Sequence, residues 1–131
     1  MPAYDTQRFS PPAALALVIC TSPDGSAVWP DMPMLIDTGA DVTLLPRDAV
    51  RRLGLAIAPD RRYELVGFDG TLSTAPVVRA AVTFCRRTFR GQFLLTEAEY
   101  GILGRNLLNA VPLLFDGPRL SWGEQERPGQ E

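Results

Sequence analysis

The stretch Met34-Leu35-Ile36-Asp37-Thr38-Gly39-Ala40-Asp41-Val42-Thr43-Leu44-Leu45-Pro46 constrains this chain more than any other. An apolar run delivers Asp37 into an Asp-Thr-Gly turn, and a second apolar run leaves it. Both runs belong in a hydrophobic interior, so the turn between them sits close to that interior. A carboxylate held there with no local cation is costly, which marks Asp37 as part of a site rather than of the scaffold. Gly39 opens backbone conformations closed to other residues and lets peptide N–H groups approach the carboxylate. Thr38 supplies a hydroxyl for a further hydrogen bond.

The rest of the composition removes competing chemistries. A chain of 131 residues, 46% hydrophobic, builds one domain with a modest core and is not a disordered segment. Histidine is absent, which excludes Ser-His and Cys-His catalysis and the commonest zinc ligand. No metal or cofactor is expected. The net charge is −2, and all positive charge is arginine, in scattered pairs at Arg51-Arg52, Arg61-Arg62 and Arg86-Arg87. Such pairs with acidic neighbours read as solvated surface, so no nucleic-acid partner is expected. Cys20 and Cys85 lie far apart in strand-like contexts; buried free thiols are the preferred reading, with a disulfide left open. A reducing, cytoplasmic setting fits two such cysteines. Ala13 to Cys20 is apolar but far shorter than the roughly 20 residues a bilayer needs, so it reads as a core strand and no membrane association is expected.

Along the chain, residues 1–12 read as a flexible arm, 13–122 as the folded domain and 123–131 as a disordered tail. Ala14 to Thr21 is a strand, Pro23-Asp24-Gly25 a turn, and Ser26 to Trp29 a returning strand, which Pro30 and Pro33 then break. Pro46 and Gly54 bracket a short helix with Ala49, Val50 and Leu53 on its apolar face. Pro59-Asp60 turns the chain. Tyr63 to Val66 and Thr71 to Val78 flank Gly67-Phe68-Asp69-Gly70, a hairpin signal carried by Asp-Gly. Val78, Ala80, Val82 and Phe84 alternate with Arg79, Ala81, Thr83 and Cys85 as a half-buried strand. A turn is expected over Arg86 to Gly91 and a return strand over Gln92 to Leu95. Ile102-Leu103 reads as a buried strand, Arg105 to Asn109 as a short helix, and Leu113 to Trp122 as a last hairpin. Many short strands with one or two short helices define a mostly β, barrel-like domain.

The Asp37 loop, with its apolar flanks and Ala40-Asp41, resembles the active-site loop of retropepsin-like aspartic peptidases. Gly101-Ile102-Leu103-Gly104-Arg105-Asn106-Leu107-Leu108 is similar to a second segment of the same family, in the family's order, over roughly residues 14–122. The resemblance implies a closed or partly open β-barrel with a flap hairpin, and Asp37 as the catalytic residue. By the same resemblance, Thr38 bonds across a dimer, and Gly39 lies flat against the catalytic pair and offers its carbonyl to substrate. Ala40, Asp41, Leu103 and the flap residues Gly67, Phe68, Asp69 and Gly70 meet substrate. Ile102, Gly104 and Arg105 support the loop, Arg105 by pairing with Asp41. Asp69 is expected to face solvent.

Hydrolysis by this chemistry needs two carboxylates sharing one proton across a water molecule. The chain holds no second Asp-Thr-Gly or Asp-Ser-Gly. The second carboxylate must then be Asp37 of another copy, across a twofold axis. The leading reading is a homodimeric aspartic endopeptidase acting on peptides or proteins, with an acidic pH optimum. A non-catalytic dimer of the same fold that binds a peptide or protein partner is the alternative. A structural β-domain with accidental matches is a remote third. The lysine-free, arginine-rich composition leans toward a free-standing cellular protein, such as a bacterial one, rather than a piece of a viral polyprotein. Trp122 is read evenly as an interface anchor or a core residue.

Overall fold

Two apolar strands that must bury one face each start the architecture. In the computed structural model, which describes residues 1–67 and 69–125, β1 (Leu15–Thr21) and β2 (Val28–Ile36) pair antiparallel, Leu15 opposite Leu35 and Val18 opposite Met32. Even-numbered Ala16, Val18 and Cys20 are buried, whereas Leu17 and Ile19 face outward. The turn between them is tied by Asp24, whose carboxylate accepts from the Ser26 N–H and from the Ser26 and Ser22 hydroxyls. These bonds hold Asp24 down at about 2.

The break expected at Pro30 and Pro33 does not occur, because β2 runs through both. Pro30 sits in a bulge where Ile19 faces Pro30 and Asp31 together. Pro33 lies opposite Leu17. The Ile36 N–H donates to the Ala14 carbonyl, so antiparallel alternation puts Pro33 where no ladder bond to β1 is required.

The remaining strands close a ring. β3 (Leu44–Leu45), β4 (Ile57–Val66), β5 (Leu72–Phe84), β6 (Arg87–Leu95) and β7 (Gly101–Leu103) join one sheet in the order β1-β2-β7-β3-β6-β5-β4. β5 also pairs with β1, Ile19 opposite Thr83, which makes a closed barrel of six strands. The length of β5 permits this, since its first half carries β4 and its second half carries β1. Two short helices decorate the barrel, α1 (Asp48–Leu53), ended by Gly54 at φ 61°, and α2 (Arg105–Leu108). Met32, Met34, Leu45, Val78, Val82, Leu103 and Leu107 fill the interior.

Two turns differ from expectation. Pro59-Asp60 does not end a strand; residues 58–61 form a bulge in β4 opposite Val77. The turn expected over Arg86 to Gly91 is instead the two residues Cys85 and Arg86, at φ 51° and 65°. Both are in the left-handed region that non-glycine residues seldom adopt. Burial of Val78, Val82 and Phe93 fixes the β5–β6 register up to Phe84 opposite Arg87, leaving only two residues to reverse the chain.

The chain ends in a hairpin of β8 (Leu113–Asp116) and β9 (Ser121–Glu124), joined by a 3-10 turn over Gly117–Arg119. Residues 123 and 124, placed by sequence in the tail, belong to β9; residues 126–131 lie outside the described residues. The arm over residues 1–12 is hydrogen-bonded to the fold through residues 2–5. Tyr4 donates to Leu120, Pro2 accepts from Trp122, and Asp5 exchanges bonds with Ala13. Trp122 is a core residue of this chain, buried with its ring 6.1 Å from that of Phe84.

Candidate active site

β2 carries Asp37 out of the core, and β7 lies parallel beside it, Ile36 opposite Leu103. The Asp37 N–H donates to the Leu103 carbonyl at 3.1 Å, so the catalytic candidate is fixed by backbone from a segment more than sixty residues away. The loop then turns on itself. The Gly39 N–H donates to Asp37 Oδ1 at 2.9 Å, and the Ala40 N–H to the Asp37 carbonyl at 3.2 Å. A charge-assisted bond of this kind steadies one carboxylate oxygen and its rotamer. Asp37 itself is half-buried rather than enclosed, and Thr38, Gly39 and Asp41 are exposed.

The glycine requirement at position 39 is one of clearance. Its φ is not in the left-handed region, but a Cβ there would stand 3.1 Å from Asp37 Oδ1. Gly104 is tighter. A Cβ would fall 2.1 Å from the Val42 carbonyl oxygen and 2.4 Å from its carbon. Gly101 is similar, 2.3 Å from Met34 Sδ and 2.4 Å from the Leu44 oxygen. The two glycines flank Ile102-Leu103 and allow β7 to lie against the outgoing limb of the loop.

A buried hydroxyl locks this crossing, and sequence reasoning passed over it. Thr43, 2% exposed, donates to Asn106 Oδ1 at 2.8 Å and accepts from the Gly104 N–H at 3.0 Å. The signals were a lone threonine in the apolar run Val42-Thr43-Leu44-Leu45 and the amide after Gly104-Arg105. The Arg105 N–H donates to the Ala40 carbonyl and the Asn106 N–H to the Asp41 carbonyl, so the start of α2 also holds the loop backbone.

Arg105 does support the loop, by a different bond from the one expected. Its guanidinium donates to the Thr38 carbonyl at 2.7 Å, and no salt bridge joins it to Asp41 among the described residues. The loop turns its Thr38 carbonyl toward α2, while the Asp41 side chain stands out in solvent.

β4 and β5 project beyond the barrel as a hairpin. Its tip is closed by Gly67 N–H to the Thr71 carbonyl and Gly70 N–H to the Gly67 carbonyl, with Gly70 at φ 81°. Asp69 is exposed and accepts from the Thr71 hydroxyl and N–H, bonds that lower its carboxyl below the ordinary value. It therefore turns into its own loop and not onto Asp37. Phe68 lies outside the described residues. Between the hairpin and the Asp37 loop runs a cleft of about 340 Å³, lined by Gly39, Ala40, Asp41, Val42, Leu44, Leu65, Val66, Gly67 and Ile102. Ala40, Asp41 and Gly67 thus lie together on one cleft. Ile102 and Leu103 exchange roles. Strand alternation points Ile102 into the cleft and Leu103, 0% exposed, into the core. Val42 and Leu44, from the apolar run that leaves the Asp37 turn, and Leu65 and Val66, from the hairpin strand, complete the lining, though no motif marked any of them as a cleft residue. A larger depression of about 520 Å³, lined by Arg8, Trp29, Asp31, Arg52 and Glu99 among others, includes none of these residues.

A closed six-stranded barrel whose Asp-Thr-Gly loop lies under a hairpin and against a Gly-Arg-Asn segment defines the retropepsin-like class of aspartic peptidase folds. The family model described as "gag-polyprotein putative aspartyl protease" matches residues 30–110, and the chain belongs to this family. Among solved structures, the protease of EIAV, complexed with the inhibitor HBY-793, is similar at a TM-score of 0.55. The two are 20% identical, over 83% of this chain and 93% of that one. A comparison with curated proteins finds no match.

Proposed function

We propose that this chain is an aspartic endopeptidase whose catalytic pair is Asp37 of one copy and Asp37 of a second. The observation that carries the reading is the setting of Asp37. Its carboxylate is oriented by the Gly39 N–H on a loop clamped from behind by Leu103, Gly104, Arg105 and Asn106, and the outer face of that loop is exposed. One carboxylate so presented is half of the machinery. A twofold axis beside Thr38 and Gly39 brings two together and lets them share a proton, because two carboxylates at contact cannot both ionise near neutrality.

The ionised member takes a proton from a water molecule as its oxygen attacks the scissile carbonyl carbon. The protonated member donates to the carbonyl oxygen. Collapse of the tetrahedral species breaks the C–N bond and returns a proton to the leaving amine. The apolar cleft walls, Val42, Leu44, Leu65, Val66 and Ile102, favour extended peptides with aliphatic or aromatic side chains. Two free thiols, Cys20 buried and Cys85 partly so, support a reducing cytoplasmic setting.

The test is cleavage of a peptide library at mildly acidic pH by wild type and Asp37→Asn, followed across a wide range of protein concentration. Turnover per chain rises with the dimer fraction, and Asp37→Asn loses about 10³-fold or more. Undiminished turnover in that variant overturns the assignment. A dimer that binds peptides and never cleaves them moves the function to peptide recognition.

A further inference from the structure

The dyad reading requires a second copy, and the two strands of the terminal hairpin differ in their capacity to receive one. Both edges of β9 are taken. One pairs with β8. On the other, the Trp122 N–H donates to the Pro2 carbonyl at 3.0 Å, the Leu120 carbonyl accepts from the Tyr4 N–H at 2.7 Å, and Ala3 bridges to Ser121. The chain's own N-terminal arm therefore fills the place an incoming strand would need.

β8 is open. Among the described residues it pairs with β9 alone. The Gln125 N–H donates to the Pro112 carbonyl, so ladder alternation turns the backbone groups of Leu114 and Asp116 toward β9 as well. The N–H and C=O of Leu113 and Phe115 then point away from the hairpin, and among the described residues no backbone group meets them. Natural edge strands are guarded by charged side chains, by proline or by a bulge. β8 has Pro112 before it and Asp116 at its end, but the three residues between them, Leu113-Leu114-Phe115, carry no such guard, and Leu114 and Phe115 are 46% and 42% exposed.

We propose that β8 is the dimerisation strand. It pairs antiparallel with β8 of a second copy about a twofold axis at Leu114, and each hairpin and N-terminal arm stays within its own chain. The inference rests on the shared-dyad reading above, which supplies the reason for a second copy and fixes the symmetry as twofold. The register follows from the free groups. Setting Leu113 against the partner's Phe115 uses the outward N–H and C=O of both residues in both copies, whereas any other symmetric register leaves some of them unpaired. Leu114 then meets the partner's Leu114 in the closer, non-hydrogen-bonded pair, where Cα atoms lie about 4.5 Å apart. The contact is self-complementary, as a closed twofold interface must be.

Two variants at the axis test this, with sedimentation and peptide turnover measured on the same full-length samples. Leu114→Arg sets like charges directly opposite each other. It is expected to raise the dimer dissociation constant by about 100-fold or more, with near-UV circular dichroism unchanged and turnover recovering at high protein concentration. Leu114→Cys is expected to form an intermolecular disulfide under mild oxidation, since such a Cα separation falls at the short end of the disulfide range. Wild type, with only Cys20 and Cys85, is expected to form none. A wild-type dimer that cleaves peptides, is not weakened by Leu114→Arg and is not cross-linked through Leu114→Cys overturns the β8 interface and leaves the dyad standing. A wild type that stays monomeric at every concentration overturns both.

Discussion

The Asp37 loop and the tip of the β4–β5 hairpin are both glycine-containing turns that flank one cleft, yet they are built in opposite ways. Among the described residues, the bonds that hold the loop from Asp37 to Asp41 from behind come from Leu103, Arg105 and Asn106, and Gly104 and Asn106 also tie Thr43. Among the described residues, the bonds that shape the tip lie between Gly67 and Thr71. A turn made of long-range contacts loses its shape only when the barrel opens, whereas a turn made of local ones moves without disturbing the core. On the peptidase reading proposed above, this division sets a firmly held carboxylate beside a cover whose shape is independent of the core.

The comparison breaks most visibly at its glycines. Gly104→Ala drives a Cβ into the Val42 backbone, which cannot step aside. We expect a loss of about 4 kcal/mol or more in urea unfolding. Gly70→Ala meets open space, and only its φ of 81° opposes it, so a loss of about 1 kcal/mol is expected. Equal costs at the two sites would show that the loop is not held as described.

Thr43→Val is the next test. It keeps the shape of the side chain but leaves the Gly104 N–H and the Asn106 amide without their partner, for a loss of about 2 kcal/mol. Hydrogen exchange should accelerate at Gly104 and Asp37. Thr71→Val, at the tip, should leave the urea midpoint unmoved and alter KM more than stability. If Thr43→Val changes exchange only near position 43, the lock does not extend to the Asp37 loop.

The smallest effect is a titration. Bonds from Thr71 lower the Asp69 carboxyl below its ordinary value of 3.8. A depressed carboxyl stabilises the tip above the unfolded value and loses that contribution as pH falls through the folded one. Tip order, read from the Asp69 and Thr71 resonances, should therefore persist through the mildly acidic range and fade only below the ordinary carboxylate range. Global stability should show no matching step, and one that appeared would mean the tip is coupled to the barrel after all.

Some of this was legible because its causes are local. The alternation from Val78 to Phe84 predicts a strand with one buried face, and Gly67 to Gly70 between two strand-like runs predicts a hairpin tip. Pro46 and Gly54 bracket a helix whose end Gly54 does mark, at φ 61°. The apolar flanks of Asp37 and the later Gly-Arg-Asn segment pointed to one site, and Leu103, Gly104 and Arg105 do meet the loop. The prolines of β2 misled because a strand's tolerance for proline depends on which way its N–H would face, which the partner strand decides. The Cys85-Arg86 turn carried no turn chemistry at all, since its position was set by the pairing of the strands on either side.

By itself, then, the sequence determined a β-rich chain with one aspartate delivered between two buried strands, and no histidine or second Asp-Thr-Gly to offer another chemistry. Only the tertiary structure decided that Ile102 and not Leu103 lines the cleft, that Arg105 holds the Thr38 carbonyl and not Asp41, and that Thr43 ties the loop to α2. Apolar periodicity and turn chemistry act over a few residues and can be read along a line. Which face a short strand shows, and which acceptor a guanidinium reaches, depend on the crossing of β2, β3 and β7, which sequence neighbours do not encode.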